Sequence, residues 1–511
     1  MLEQVLKLSW DKYTHCNYFG VREVYEMMVD MKGFVEYEDK QYPFSFSDST
    51  LNLYPDKFDS KSIEEWFAPY ERGEVIENIQ LHGITANRKN VIFEVSEQYS
   101  DQEGFLSFDV YSIFEYDSAR YQPYIEDGKH KYNVKKTKIR GIKLSGVDVD
   151  VFYPPENAYF IETSKKQDIV TKVGVKRIVE TPLGLIEWNG VKIELTAQYK
   201  VKQSFSPEPL HSTSEIIASF SEDVSFDFAK EIYLGIYQVF RYVMRRNNIV
   251  FNNIEIFDIN EKNVRDIFGK FYDLKMVHEK ENNSKIKRRV LSYDYIGEKL
   301  GELLKAFLEG IIYIDHLPDS IDKTNKFGPD RMIFDFVAFE REYANLYPET
   351  EIRSEKYLQA KNDALNMMDK LINERSGKVK KYLTTFRKRI AADENSLADR
   401  ILVVIKDCLS IMEPFLVYEL GKEYNIKVDE ITPLENIASK MNTLRNDMAH
   451  GNLDIQLDKD HIFGFEIIEV LFCLRWQRSN ERISLFRQWK DVSRKPGKEN
   501  GMVDLLRMVM N

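Results

Sequence analysis

Arg445 and His450 are the residues in this sequence whose types and spacing best suit catalysis. They lie in "LRNDMAHG", residues 444–451, with the polar Asn446 next to the arginine. A histidine titrates near neutral pH and can remove the proton of a ribose 2′-hydroxyl, while an arginine stays charged and can hold a phosphate. The pair therefore suits RNA cleavage without a metal, by internal attack that leaves a cyclic phosphate and a 5′-hydroxyl. Asn446 could orient the histidine or donate a hydrogen bond to the phosphate.

The same two residues also have a purely structural interpretation. Arg445 could pair with a carboxylate on a bundle surface, and His450 would be favoured by the negative end of a helix dipole. The pattern is nevertheless unique in the chain, because none of the other seven histidines has an arginine four to seven positions before it. On spacing alone, both interpretations stay open.

The stretch before the motif predicts a well-defined helix. In "TPLENIASKMNTLRND", Thr432 can act as N-cap, Pro433 suits the first helical position and Glu435 completes a capping box. Gly451 is placed to end the helix in a left-handed conformation. The predicted apolar stripe consists of Leu434, Ile437, Met441, Leu444 and Met448. Arg445 is expected just beside this buried face.

One copy of this helix provides only half of a catalytic centre. Five positions at 100° per residue separate Arg445 from His450 by about 140° around the helix axis. Two copies about a two-fold axis would bring two arginines and two histidines to one cleft, because such an interface presents the same surface from both chains. We therefore expect a homodimer, or a higher assembly of dimers, with a composite site.

Three stretches of the chain resemble a known family. "RNDMAHG" resembles the R-[NDH]-x(3-5)-H signature of the HEPN superfamily, with Arg445, Asn446 and His450 in the matching places and an "AHG" ending that is common among active members. "RMIFDFVAFEREY" resembles the first long HEPN helix, with Phe339 where many relatives have leucine. "SFDFAKEIYLGIYQVF" resembles the segment that follows the β-rich part in the ApeA type of HEPN protein, from bacterial anti-phage defence. The chain is similar to that type over nearly its full length.

This resemblance implies a fold and an activity. The fold is a β-rich N-terminal domain followed by a HEPN helical bundle. The activity is that of a metal-independent endoribonuclease without a cofactor, which is dimeric at its active site and cleaves an RNA substrate. It implies a toxin-like role in abortive infection, in which a phage-derived trigger at the N-terminal domain releases cleavage of host or phage RNA.

The sequence pattern independently predicts the α+β class. Period-two and aromatic runs predict a β-rich sensor or regulatory domain at residues 1–220, and apolar residues at helical spacing predict a connector with a short strand at 221–328. A linker-like stretch, "DSIDKTNKFGPD", precedes an all-α C-terminal bundle at 329–511. Besides the helix that carries the motif, its predicted helices are "RMIFDFVAFEREYANLY", "EKYLQAKNDALNMMDKLINE", "LADRILVVIKDCLSIMEPFLVYELGKEY", which starts at residue 397, and "HIFGFEIIEVLFCLRWQ".

Four local predictions can be compared directly with a structure. "GVDVDVF", residues 146–152, alternates Val and Asp and predicts a strand. Asn189 and Gly190 predict a hairpin turn. Ser225 is a candidate N-cap for a long amphipathic helix, and "IVFNNIEIF", residues 249–257, predicts a strand.

A basic run, "RSGKVKKYLTTFRKR", is the candidate RNA-binding segment. Its cations stand out in an acidic chain and could guide an RNA backbone; the candidates are Lys378, Lys380, Lys381, Arg387, Lys388 and Arg389. An ordinary solvated helix with Val379, Leu383, Phe386 and Ile390 on a buried face fits the same run equally well.

Composition limits the other classes of function. A net charge of −11 and a pI near 5.5 argue against a generic polyanion binder, so any RNA contact must be local. Cys16, Cys408 and Cys473 form no C-x-x-C pair, and no histidine pair has ligand spacing, so we predict no disulfide framework and no metal site. We expect a cytoplasmic protein without a membrane span.

Two alternatives assign no catalysis to the bundle. In the first, the bundle keeps the motif but serves as a binding or adaptor module. In the second, the N-terminal domain carries the function by recognising a viral protein or a carbohydrate, and the bundle only dimerises it.

Overall fold

The structure is a computed structural model, and it describes only part of the chain. The described residues are 30–38, 40–54, 79–100, 106–117, 124–126, 129–131, 139–163, 171–176, 180–203, 210–274, 281–287, 290–323, 328–347, 355–391, 396–405, 432–452, 457–458, 460–461, 464–465 and 468.

Strands and helices have the following bounds. The strands are β1 (Met31–Tyr37), β2 (Lys40–Ser47), β3 (Thr50–Leu53), β4 (Ile79–Thr85), β5 (Lys89–Ser100), β6 (Leu106–Asp117), β7 (Tyr124–Glu126), β8 (Lys129–Lys131), β9 (Ile139–Ser145), β10 (Tyr159–Thr163), β11 (Thr171–Val175), β12 (Thr181–Trp188), β13 (Val191–Gln203), β14 (Leu210–Val224), β15 (Asn253–Ile259) and β16 (Arg265–Asp273). The helices are α1 (Val147–Phe152), α2 (Phe226–Met244), α3 (Asn283–Lys287), α4 (Tyr293–Ile296), α5 (Leu300–Leu308), α6 (Pro329–Leu346), α7 (Glu355–Glu374), α8 (Gly377–Ala391), α9 (397–405) and α10 (Thr432–Ala449).

Strands dominate the first half of the chain and helices the second. The described strands lie between Met31 and Asp273, and from Asn283 onward the described regular elements are helical. This confirms the coarse prediction of a β-rich N-terminal part followed by a helical C-terminal part. The HEPN identity of the helices stays a prediction.

The chain divides into two compact units, and each unit is built from three separate segments of the sequence. The first unit comprises Met1–Thr181, Val191–Lys230 and Asn248–Ser284. The second unit comprises Pro182–Gly190, Glu231–Asn247 and Lys285–Asn511.

The first unit is built on an antiparallel sheet. Its described strands follow the order β13-β14-β9-β15-β16-β6-β3-β2-β1-β4-β5, and β5 pairs again with β6. The six strands from β6 to β5 therefore close into a small barrel. Alternating side chains point inward, as the period of a strand requires, and the buried set includes Val35, Phe44, Phe46, Leu51, Phe93, Phe108 and Ile113.

The strand predicted for "GVDVDVF" is wrong, because Val147–Phe152 form helix α1. The buried Asp148 carboxylate accepts a hydrogen bond from the N–H of Val250 at 2.7 Å, and Asp150 accepts one from the N–H of Ser214 at 2.7 Å. A helix sends these two side chains about 200° apart, whereas a strand would put both on one face. Only the helix lets each carboxylate reach its own backbone partner.

The other local predictions are confirmed. Asn189 and Gly190 connect β12 to β13 with φ values of 49° and 83°, as a type I′ turn requires. The hydroxyl of Ser225 accepts a hydrogen bond from the N–H of Phe228 at 3.2 Å and caps α2. The predicted strand in 249–257 corresponds to β15, while its antiparallel partner β16 was not predicted.

The second unit has a helical core. Side chains of α6, α9 and α10 form one buried cluster, which includes Met332, Phe336, Phe339, Tyr343, Leu397, Ile401 and Ile405. The helices predicted from "RMIFDFVAFEREYANLY" and "EKYLQAKNDALNMMDKLINE" are confirmed as α6 and α7. The helix predicted from residue 397 onward is described only to 405, and the one predicted from "HIFGFEIIEVLFCLRWQ" lies mainly outside the described residues.

Replacing Asp148 by alanine is expected to destabilise the first unit. The variant leaves the buried N–H of Val250 without this acceptor, which costs about 1–3 kcal/mol. Urea denaturation followed by circular dichroism measures the effect. The matched control is Glu222→Ala, which removes an exposed carboxylate of β14 and is expected to change stability by less than about 0.5 kcal/mol. Equal stability of the two variants would contradict the role given to Asp148.

Candidate active site

The motif lies at the C-terminal end of α10, and the predicted apolar stripe of this helix is buried. The five stripe residues Leu434, Ile437, Met441, Leu444 and Met448 are each at most 8% exposed. They belong to the cluster that also contains Phe336 and Phe339 of α6 and Ile401 of α9. The core therefore sets the rotation of α10 about its own axis, and with it the directions of the polar residues.

The end of α10 has the predicted left-handed cap. Gly451 has a φ of 83°, and its N–H donates to the carbonyl of Met448 at 3.0 Å. The N–H of Asn452 donates to the carbonyl of Asp447 at 3.0 Å, which completes a Schellman motif. His450 is thus the C-cap residue and is exposed. Its imidazole is accessible to a substrate.

Arg445 leaves α10 beside the buried stripe and meets α6. Its Nη2 lies 3.3 Å from Oε1 of Glu340, and its Nη1 donates to Oδ1 of Asn446 at 3.4 Å. Both partners of the ion pair are partly exposed, so the pair adds little stability but orients the guanidinium. Two of its five N–H groups are used in these contacts, so the group can still bind an anion.

Asn446 links the two candidate catalytic residues only indirectly. Its side chain contacts Arg445, while its backbone carbonyl accepts the N–H of His450 at 3.1 Å. Because α10 is helical through Ala449, Arg445 and His450 stay about 140° apart and about 7.5 Å apart along the axis. One chain therefore presents Arg445, with Glu340 beside it, on one side of α10 and His450 on another. Asn446 lies between these two directions, about 40° from His450.

Lys440 ties the segment after the motif back to α10. Its Nζ donates to Oδ2 of Asp458 at 2.6 Å and also contacts Asp460. The hydrogen bond from Lys440 lowers the pKa of Asp458 to about 2, and the two carboxylates raise the pKa of Lys440. His461 and Asp458 exchange hydrogen bonds between their backbone N–H groups and side chains. The contacts of Lys440 therefore hold Asp458 and Asp460 against the middle of α10.

The predicted RNA-binding cations lie on α8 and fall into two groups. Arg387 makes two hydrogen bonds to Asp369 of α7, one of them from Nη2 to Oδ2 at 2.9 Å, and joins the two helices. The other five are exposed and have no ion-pair partner within the described residues: Lys378, Lys380, Lys381, Lys388 and Arg389.

The alternative interpretation of this run, a solvated helix, stays a prediction, but the buried apolar face expected for it is wrong. No residue of α8 is buried, and Val379 and Phe386 are among the exposed large apolar side chains. α8 packs along α7, whereas α10 packs on α6. The basic run and Arg445 therefore belong to different helix pairs.

Glu340 is a residue that the sequence analysis did not single out. It lies in "FVAFERE" within the predicted first long helix, directly after the buried Phe339. Helical spacing therefore puts it at the edge of the buried face of α6. Spacing within α6 cannot tell which residue of another helix it meets, and the contact with Arg445 is a product of packing.

Three further features bear on the function of this chain: metal ligands, membrane spans and similarity to known proteins. Within the described residues, no group of three or more His, Cys, Asp and Glu side chains could hold a metal ion. Of the helices in those same ranges, none has the length and apolar character that crossing a bilayer requires. The chain matches no protein-family model, no curated protein and no solved structure.

Replacing Gly451 by alanine is expected to loosen the end of α10. A Cβ at this position meets no atom within 4 Å, so the cost arises from the left-handed backbone alone and amounts to about 1–2 kcal/mol. Hydrogen–deuterium exchange at the amide of Asn452 measures the loss of the cap. Gly451→Asn is the control, because asparagine tolerates this conformation better. Equal protection in wild type and the alanine variant would contradict the assigned cap.

Proposed function

We propose that this protein is a metal-independent endoribonuclease of the HEPN type, acting in the bacterial cytoplasm in defence against phage by abortive infection. His450 of one copy removes the proton of a ribose 2′-hydroxyl, and the oxygen attacks the adjacent phosphorus. Arg445 binds the phosphate and its developing charge, with Asn446 assisting. The protonated second histidine of the dimer donates a proton to the leaving 5′-oxygen. The products are a 2′,3′-cyclic phosphate and a 5′-hydroxyl.

One observation carries this proposal. Arg445 and His450 are both accessible at the end of a helix whose rotation is set by its buried stripe. An arginine that retains unused N–H groups and an exposed imidazole are the two groups that this reaction needs. The resemblance of "RNDMAHG" to the HEPN signature supports the same assignment of roles.

The proposed site needs two chains. The two side chains leave α10 about 140° apart, so one helix cannot direct both at the same phosphate. A two-fold pairing of α10 with its copy supplies the missing orientation. The resemblance to the ApeA type further implies that the β-rich first unit senses a phage-derived trigger and keeps the nuclease inactive before infection.

A non-catalytic adaptor is the second candidate. The ion pair between Arg445 and Glu340 favours it, because this is the contact that a purely structural arginine would make. The two candidates differ in whether the purified wild-type protein cuts RNA at all.

Substitution of either catalytic residue is expected to abolish cleavage. His450→Ala removes the base and Arg445→Ala removes the phosphate ligand, and each is expected to lower the rate at least about a hundredfold. The measurement is sequencing of RNA ends after incubation of full-length protein with total RNA and a lysate of phage-infected cells, which supplies the trigger. Wild type is expected to remain active in the presence of a chelator.

The matched control is Asn436→Ala, which changes an exposed residue in the first turns of the same helix and is expected to cut like wild type. Cleavage that survives both catalytic substitutions would refute the assignment. A wild-type protein that cuts no RNA in the presence of its trigger would favour the adaptor.

Glu340 is expected to act as a positioning residue for Arg445. Glu340→Ala leaves the guanidinium without its partner on α6 and is expected to lower the rate roughly tenfold to a hundredfold. Glu340→Gln keeps a hydrogen-bond acceptor and is expected to lose less.

Single-turnover rates at saturating RNA, together with unfolding midpoints, separate positioning from stability. Asp330→Ala is the control, because it removes an exposed carboxylate from the same helix. If Glu340→Ala changes the unfolding midpoint but not the rate, Glu340 has only a structural role.

A further inference from the structure

The hairpin of α7 and α8 exposes an apolar surface. The exposed fraction is 61% for Tyr382 and 49% for Phe386 on α8, and Met367 and Leu371 of α7 are exposed as well. The ion pair between Asp369 and Arg387 holds the two helices together. Exposed aromatic rings grouped with other apolar side chains typically mark a surface that binds a partner.

The two rings on α8 stand in a row with cations. Lys378, Tyr382, Phe386 and Arg389 follow one another at spacings of four, four and three positions, so their side chains are neighbours along one side of the helix. Tyr382 and Phe386 are about 6 Å apart along the axis. Each end of the pair of rings is therefore occupied by a positive charge.

The charge of α8 decides what kind of partner fits. The helix carries six basic and no acidic side chains, although the whole chain has a net charge of −11. Lysine is depleted in protein interfaces, and a second copy of α8 would meet this one with like charges. A chain of phosphates is attracted instead, and aromatic rings offer its bases a stacking surface.

We propose that α8 is a docking surface for single-stranded RNA, in which Tyr382 and Phe386 stack on unpaired bases while Lys378 and Arg389 contact the flanking phosphates. Duplex RNA is excluded because its bases are already stacked within the helix and its deep groove hides their edges. This inference rests on the proposed function, since it names the substrate class of that nuclease. It also distinguishes Arg387, whose charge is used within the hairpin, from the cations that contact RNA.

Fluorescence anisotropy with the full-length protein tests the proposal. The probe is a labelled 2′-O-methyl uridine oligonucleotide of about 15 nucleotides, which cannot undergo 2′-hydroxyl attack and matches the size of known single-strand sites. Tyr382→Ala combined with Phe386→Ala is expected to weaken binding about tenfold or more. Lys378→Gln combined with Arg389→Gln is expected to reduce the slope of log Kd against log salt by about 1.4.

The control pair is Lys356→Gln with Lys370→Gln, which removes the same charge from exposed positions of α7 and is expected to leave the salt slope nearly unchanged. Equal losses in both charge pairs, or a duplex probe bound as tightly as the single strand, would overturn the proposal. Aromatic variants that bind the probe like wild type but lose self-association would show that the surface binds protein instead.

This binding assay, together with the sequencing of RNA ends, separates this inference from the proposed function. Binding that depends on Tyr382 and Phe386, in a protein that never cuts RNA, would refute the nuclease and keep the docking surface. Cleavage that depends on His450, with affinity unaffected by the α8 variants, would do the reverse.

Discussion

Burial of one face of α10 constrains every other feature of the candidate site. Five apolar side chains of this helix are inside the core, and each contributes about 1.5–3 kcal/mol by leaving water. Rotating the whole helix would expose most of them and would still leave Arg445 and His450 about 140° apart. The two residues therefore keep their separate directions, and a phosphate that touches both must be reached from two helices.

The charged candidate residues of the second unit fall into two groups, which lie on different pairs of helices. Arg445 is oriented by Glu340 within the pair of α6 and α10, whereas the exposed cations lie on α8, which is braced to α7 through Arg387. In a protein of net charge −11, such a local excess is what an RNA contact requires. Because the two groups are on different helix pairs, the proposed RNA binding and the proposed cleavage can be tested independently by mutation.

Features that depend on nearby residues were predictable from the sequence. The buried stripe of α10, its cap at Gly451 and the turn at Asn189 and Gly190 all follow from periodicity or from φ preferences. Contacts between distant residues were not predictable. Asp148 is helical because its partner is the amide of Val250, 102 positions away, and Glu340 meets Arg445 only through helix packing. Periodicity also found the apolar face of α8, but it could not tell that Val379 and Phe386 of this face stay exposed.

A complementation experiment tests the composite site most directly. Copies carrying Arg445→Ala and copies carrying His450→Ala are coexpressed with different tags, and the mixed dimers are purified and assayed on RNA. Each mixed dimer retains one intact arginine and one intact histidine, which are the phosphate ligand and the base. The account predicts that cleavage returns in part although neither parent cuts, at a rate below wild type because the second histidine that protonates the leaving oxygen is absent. Mixed dimers that form but remain as inactive as both parents, or a wild-type protein that cuts RNA as a monomer, would contradict it.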